Sequence, residues 1–182
     1  RVLLRLGVFD ATTPDDLHHG AAALPWEDWL DPRGRFTVRG EADPPAVTDG
    51  RYALLELTDA IADRMRARCG RRPDSGSDPR DAAAAFLWWQ GERCAVYLDT
   101  TGVPLSHRGY RRAGLDAPMR ESLAAGVVLA SGWRGGRPFV NPMCGSGTIA
   151  IEAAGIAAGR AAGLARREFA FMRLRGFDAD AW

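Results

Sequence analysis

"VNPMCGSGTIAIEAA", Val140 to Ala154, is the stretch whose reading decides the fold. An extended start at Val140–Pro142 runs into a turn with glycines at 145 and 147, and the apolar residues after Thr148 recur at helical spacing. Strand, glycine turn and helix in that order belong to an α/β layer architecture. Gly145 and Gly147 lack a Cβ, so the backbone can turn sharply there and a ligand can come close. A helix opening at Thr148 presents unpaired N–H groups and a partial positive charge, worth about 0.3–1 kcal/mol toward a nearby anion. The turn therefore suits a phosphate or a carboxylate. It is not a P-loop, because no lysine precedes Thr148, and Ala150 takes the third glycine place of a dinucleotide fingerprint. Glycine spacing alone leaves phosphate, dinucleotide, amino-acid carboxylate and a plain tight turn all open.

Upstream lies a basic connector, His107 to Arg112, centred on Tyr110. A helix is predicted after it, with Asp116 as its cap, Pro118 in its first turn, and Met119, Leu123, Val127 and Ala130 as its apolar stripe. Gly132 ends that helix, and Pro138 to Pro142 reads as a short strand. The next helix, Thr148 to Gly159, puts Ile149, Ala153 and Ile156 on one face. The tail from Ala161 is basic, then aromatic.

Residues 1–105 have a different rhythm. Arg1–Phe9 reads as a strand, Asp15–Leu24 as a helix with Asp15 as its cap, and Trp26 and Trp29 share a helical face. Arg35–Ala42 alternates as a half-buried strand, with Phe36 and Val38 inward and Arg35, Thr37 and Arg39 outward. Tyr52–Cys69 is helical through Leu54, Leu57, Ile61 and Met65 and stops at Gly70, and Arg71–Asp81 reads as a loop. Phe86–Trp89 and Cys94–Asp99 form a hairpin around Gly91, with Trp88 and Trp89 on opposite faces. Strands and helices mix without a regular βαβ repeat, which predicts a small α+β domain over 1–105 and a second region over 106–182.

Composition excludes several classes. Apolar residues make up 46% and charged residues 26%, enough to bury a core. The longest apolar runs, such as Ala82–Trp89, are too short to cross a bilayer. A net charge of +1 does not by itself mark a nucleic-acid binder, although all 24 Lys/Arg positions are arginine. Cys69, Cys94 and Cys144 are widely spaced, which argues against a disulfide framework or a zinc site and fits a reducing cytoplasm. No metal-ligand spacing is present.

The run "HRGYRRAGLDAPMRESLAAGVVLASGW…PFVNPMCGSGTIAIEAA" resembles the THUMP-containing RNA guanine methyltransferases, and most closely the bacterial large-subunit (23S) ribosomal RNA guanine-N2 methyltransferase family. "DDLHHGAAALPWEDWL", "FTVRG", "LTDAIADRMR", "VYLDTTGVPLSHRGYR" and "GLARREFAF" extend the resemblance, in order, over nearly the whole chain. It implies a THUMP module of ferredoxin-like association, α+β in class, followed by the start of an α/β Rossmann-like class I methyltransferase domain. It also implies S-adenosylmethionine as cofactor. Cys144, Gly145, Ser146, Gly147 and Thr148, with Asn141 and Pro142 before them, match the turn that cradles the cofactor's methionine part. Asn141 stands where the family usually has Asp; it keeps the shape and hydrogen-bonding ability and loses the charge. Ala117 and Pro118 match the start of the preceding helix, near the cofactor in such enzymes, or are simply helix-start residues. Arg108, Arg111 and Arg112 could grip RNA phosphates. Tyr110 fits a base stack or, better, a packing role. Cys144 reads as a small turn residue and not a nucleophile, because amine methylation needs no covalent enzyme intermediate.

The family's Asn-Pro-Pro-aromatic tetrapeptide, whose oxygens accept the hydrogens of the target amine, has no counterpart. Pro44-Pro45 precedes the turn and lacks the aromatic, and the catalytic residues stay unknown. The expectation is a piece of a larger cytoplasmic enzyme, inactive alone, acting on 23S ribosomal RNA or, as the nearest competitor, transfer RNA. A non-catalytic RNA-binding module with a vestigial turn is the alternative from another class. A nucleotide-binding oxidoreductase ranks low, because Glu168, at the place of its ribose-binding acid, lies in a stretch unlike a strand end.

Overall fold

Thr13 starts the first helix. In the computed structural model, which describes residues 1–43, 49–76, 78, 80–111 and 118–182, α1 spans Pro14–Ala22. The Thr13 hydroxyl accepts from the Asp16 N–H at 3.2 Å, and the Asp16 carboxylate accepts from the Thr13 N–H at 2.9 Å. This reciprocal capping box displaces Asp15, the cap expected from sequence, into the first turn. Thr13→Ala is expected to cost about 1 kcal/mol in chemical denaturation. Hydrogen bonds from the Thr12 backbone and hydroxyl, and then from Thr13, hold the Asp16 pKa at about 2. Its folded pKa lies below its unfolded one, so the carboxylate stabilises the fold above about pH 4 and loses that effect as pH falls toward 2. The stability gap between wild type and Asp16→Ala is expected to shrink over that window; a gap constant from pH 6 to pH 2 would contradict it.

The chain forms two units, Arg1–Val103 with Glu168–Trp182, and Pro104–Arg167. In the first, β1 (Leu3–Asp10), β2 (Arg35–Asp43), β3 (Asp74–Ser75), β4 (Ala83–Gln90) and β5 (Arg93–Asp99) make one sheet in the order β1-β5-β4-β2-β3. β5 runs antiparallel to β1 and β4, while β2 runs parallel to β4 and β3. β3 falls in the stretch read as a loop; two residues are too few to show an alternation. Thr37, expected outward, is buried, because β2 is an interior strand between β3 and β4.

α1 and α2 (Gly50–Cys69) supply Leu17, Leu57, Ile61 and Met65 to a core shared with Phe36, Leu87 and Trp89 of the sheet. Trp89 is fully buried and its indole N–H donates to the Ala11 carbonyl at 3.1 Å, while Trp88 on the other face is half-buried. Trp26 is likewise buried, with its N–H on the Ala21 carbonyl at 2.8 Å. The 3₁₀ turn Trp26–Asp28 is tied to α2 by a forked ion pair, Glu27 to Arg64, at 2.6 and 3.0 Å. In the tail, a 3₁₀ turn at Ala170–Arg173 packs on β4, and the Phe171 N–H donates to the Thr100 carbonyl at 3.1 Å.

The second unit is built on α3 (Glu121–Ala130) and α4 (Thr148–Ala157), packed on each other. Arg120 is the N-cap of α3, so Pro118 precedes the helix instead of opening it; the Asp116 cap lies outside the described residues. α3 buries Glu121, Ala124, Ala125 and Val128, and the expected stripe of Met119, Leu123, Val127 and Ala130 faces out. The helix is apolar nearly all round, so periodicity could not choose the buried face. On α4 Ala153 is buried and Ile149 and Ile156 are half-buried, as read. Pro138–Pro142 forms no ladder with any described residue, and Val140 is 81% exposed. A strand needs a neighbour, and the apolar pattern alone does not supply one.

Candidate functional site

The turn ahead of α4 is tightened by the Gly147 N–H donating to the Cys144 carbonyl at 2.8 Å. Gly145 (φ +52°) and Gly147 (φ +78°) both take the left-handed conformation, which glycine alone adopts at no steric cost. Gly147 is the N-cap and makes no side-chain bond, so the first N–H groups of α4 have no partner within the helix. No described atom lies within 4 Å of where a Cβ on Gly145 would stand. The result is an open cradle with donors on one wall.

Asn141 ends the extended approach to this turn. Its Nδ2 is buried and has no hydrogen-bond partner among the described residues. An amide N–H in that state is a donor awaiting an acceptor, since leaving it unmade costs free energy. Pro142, Cys144 and Gly145 are exposed, Ser146 is half-buried and Thr148 is buried. The exposed Cys144 thiol donates to its neighbour, the Gly145 carbonyl, at 3.7 Å. By contrast, burial pushes the Cys94 thiol up to about 12.

The connector reaches the turn through Arg111. Its guanidinium donates to the Ser146 and Thr148 hydroxyls, both at 3.3 Å, to the Glu121 carboxylate at 3.2 Å and to the Met119 carbonyl at 3.2 Å. The two hydroxyls are 3.1 Å apart and share a bond. Beside this, the Tyr110 hydroxyl donates to Glu152 of α4 at 2.9 Å, and Arg108 pairs with the same carboxylate at 3.5 Å. Burial, and then this bond, raise the Tyr110 pKa well above the usual phenol range. Tyr110 therefore has the packing role that sequence favoured.

Of the residues singled out from sequence, the turn brings Asn141 through Thr148 and Arg111 together. Arg108 sits at Glu152, and Pro118 lines a pocket of about 420 Å³ with His107, Arg111 and Glu121. Ala117 and Arg112 lie outside the described residues. Glu121 was not singled out at all. The signal for it was a carboxylate at the head of an otherwise apolar helix, ten residues after an arginine.

Comparison with known proteins follows this layout. Residues 11–75 match the THUMP domain family, and residues 108–180 match the family described as RMKL-like, methyltransferase domain. A ribosomal RNA large subunit methyltransferase K/L from Allochromatium vinosum is 40% identical over 186 residues, taking in 100% of this chain and 25% of that protein. Among solved structures, a predicted N6-adenine-specific DNA methylase from Listeria monocytogenes is similar with a TM-score of 0.87 at 34% identity, over 100% of this chain and 47% of that one. The structure of SMU.472 complexed with SAH gives 0.81 at 31% identity, over 97% and 46%. The chain thus spans about a quarter of the length of the curated relatives it matches and about half of those solved chains.

Proposed function

Because the chain belongs to the THUMP-containing, RMKL-like methyltransferases, we propose that it forms the RNA-binding front and the cofactor-binding turn of an enzyme that methylates guanine N2 in 23S ribosomal RNA. One observation carries the cofactor part. The left-handed glycines and the unpaired start of α4 make one open turn, and the orphaned Asn141 amide stands just before it in the chain. That donor set fits S-adenosylmethionine, whose methionine end carries a carboxylate to accept from such N–H groups. SAH, the product left when that cofactor gives up its methyl, is bound in the similar SMU.472 structure.

Bound there, S-adenosylmethionine supplies an electrophilic methyl group on a sulfonium. The residues of this chain hold its amino-acid end. Gly145 and Gly147 keep the approach free of side chains, Ser146 and Thr148 offer hydroxyls, and Asn141 replaces a charge with an amide. Cys144 and Pro142 shape the turn, and Pro118 stands just ahead of α3. RNA is held by the THUMP unit and by the connector arginines Arg108 and Arg112, so affinity falls steeply with salt, while Arg111, read from sequence as a third, is engaged with the cofactor turn. The proposed substrate, ribosomal RNA, puts the setting in the cytoplasm.

Residues 1–182 contain no Asn/Asp-Pro-Pro-aromatic segment, so the chain alone is not expected to turn over. The test uses the full gene product with methyl-labelled S-adenosylmethionine and 23S ribosomal RNA, followed by nucleoside mass spectrometry. The expected product is N2-methylguanosine. Methylation of transfer RNA instead would move the substrate, methylated adenine N6 would overturn the target amine, and binding of RNA without the cofactor would leave a non-catalytic module. Turnover by residues 1–182 alone would overturn the division of labour.

A further inference from the structure

We infer that Arg111 is a positioning residue for the cofactor turn, setting affinity for S-adenosylmethionine through Ser146 and Thr148. The inference rests on the reading of that turn as the S-adenosylmethionine site. Arg111 reaches four acceptors from one planar fork: the two hydroxyls of the turn, the Glu121 carboxylate and the Met119 carbonyl. Glu121 and Met119 stand at the start of α3, and Ser146 and Thr148 at the start of α4. The guanidinium therefore locks the entrances of the two helices to each other. At least four of its five N–H groups are engaged.

The chemistry of the fork orders the hydroxyl protons. Arginine only donates, so Ser146 and Thr148 must both accept from it, and neither proton points at Arg111. The hydroxyls also share one bond at 3.1 Å, which uses one of their two protons. One O–H is left to donate outward, beside the unpaired N–H groups of α4. A donor so placed suits the carboxylate end of the cofactor. Glu121, side chain 11% exposed and 3.2 Å from the Arg111 Nε, offsets a positive charge that would otherwise repel a cationic ligand. Lysine could not reproduce this, because an ammonium is a point donor without the planar fork.

The experiment uses the full gene product and its Arg111→Lys, Arg111→Met and Ser146→Ala variants. Calorimetry gives the Kd for S-adenosylmethionine, and filter binding gives the Kd for 23S ribosomal RNA against salt. Both Arg111 variants are expected to weaken cofactor binding roughly tenfold, in keeping with a lost charged hydrogen bond to a preformed site. RNA affinity and its salt slope are expected to stay as in wild type, with kcat at saturating cofactor largely retained while KM rises. Ser146→Ala leaves the Arg111–Glu121 pair in place, and combining it with Arg111→Lys is expected to be less than additive. Unchanged cofactor affinity in variants of a wild type that binds overturns the inference. So does a loss confined to RNA with a shallower salt slope, which would make Arg111 a phosphate ligand, and so does full additivity of the double variant. No cofactor binding by wild type would overturn the reading of the turn itself.

Discussion

Gly40→Ala is expected to unfold the first unit. Gly40 lies in β2 opposite Leu87 of β4, in the middle of an eight-residue parallel ladder. A Cβ built on it would stand 2.1 Å from the Leu87 carbonyl oxygen and 2.8 Å from the Leu87 carbonyl carbon. Those are backbone atoms of an interior strand, so no rotamer change relieves the clash. The ladder must part, and Leu87 and Trp89, both fully buried, move with it. Overpacking with backbone displacement puts the cost at about 3 kcal/mol or more. Gly70→Ala is the comparison. Gly70 has a left-handed φ, +69°, but nothing lies within 4 Å of its would-be Cβ. It is expected to cost only about 1–2 kcal/mol of backbone strain. Denaturation of the full gene product, followed through the buried Trp26 and Trp89, ranks the two; equal costs would mean that the Gly40–Leu87 register is wrong.

Gly40 also shows where sequence reading stops. The strand over "RFTVRGEA" was legible though its alternation was not, Thr37 being buried, and α2, the hairpin and the opposite faces of Trp88 and Trp89 were legible because each depends on residues close in the chain. What was not legible depends on distant partners. The Gly40 contact is with a strand more than forty residues on, and β3 exists only because β2 lies beside it. α3 shows the same limit in a helix: its apolar residues surround it, and only the position of α4 and the Arg111–Glu121 pair decides which of them are buried.

The site divides the same way. The glycine turn and the helix start at Thr148 were legible because both are local. The role of Arg111 was not, since a basic connector reads as a solvated or RNA-facing run, and the hydroxyls it binds come 35 and 37 residues later. Tyr110 was legible as a packing residue, but its partner Glu152 lies 42 residues away.

Gly147→Val is expected to weaken S-adenosylmethionine binding about thirtyfold in the full gene product, while Gly147→Asn weakens it far less. Gly147 is the N-cap of α4 at φ +78°, and a Cβ there would meet nothing closer than the Ile151 Cδ1 at 3.9 Å. Space is therefore not the obstacle; backbone conformation is. The left-handed region costs an ordinary L-residue about 1–2 kcal/mol and a β-branched one more, whereas asparagine tolerates it. Valine would drive residue 147 toward negative φ. That breaks its bond to the Cys144 carbonyl and turns the first N–H groups of α4 away from the cradle. Arg111 would then hold Ser146 and Thr148 in two incompatible frames. Calorimetry on wild type, Gly147→Val and Gly147→Asn separates two uses of the glycine. If both variants lose binding equally, the ligand itself needs the room a Cβ would fill. If only valine does, the left-handed turn is what preforms the site, and its donors are aimed before any ligand arrives.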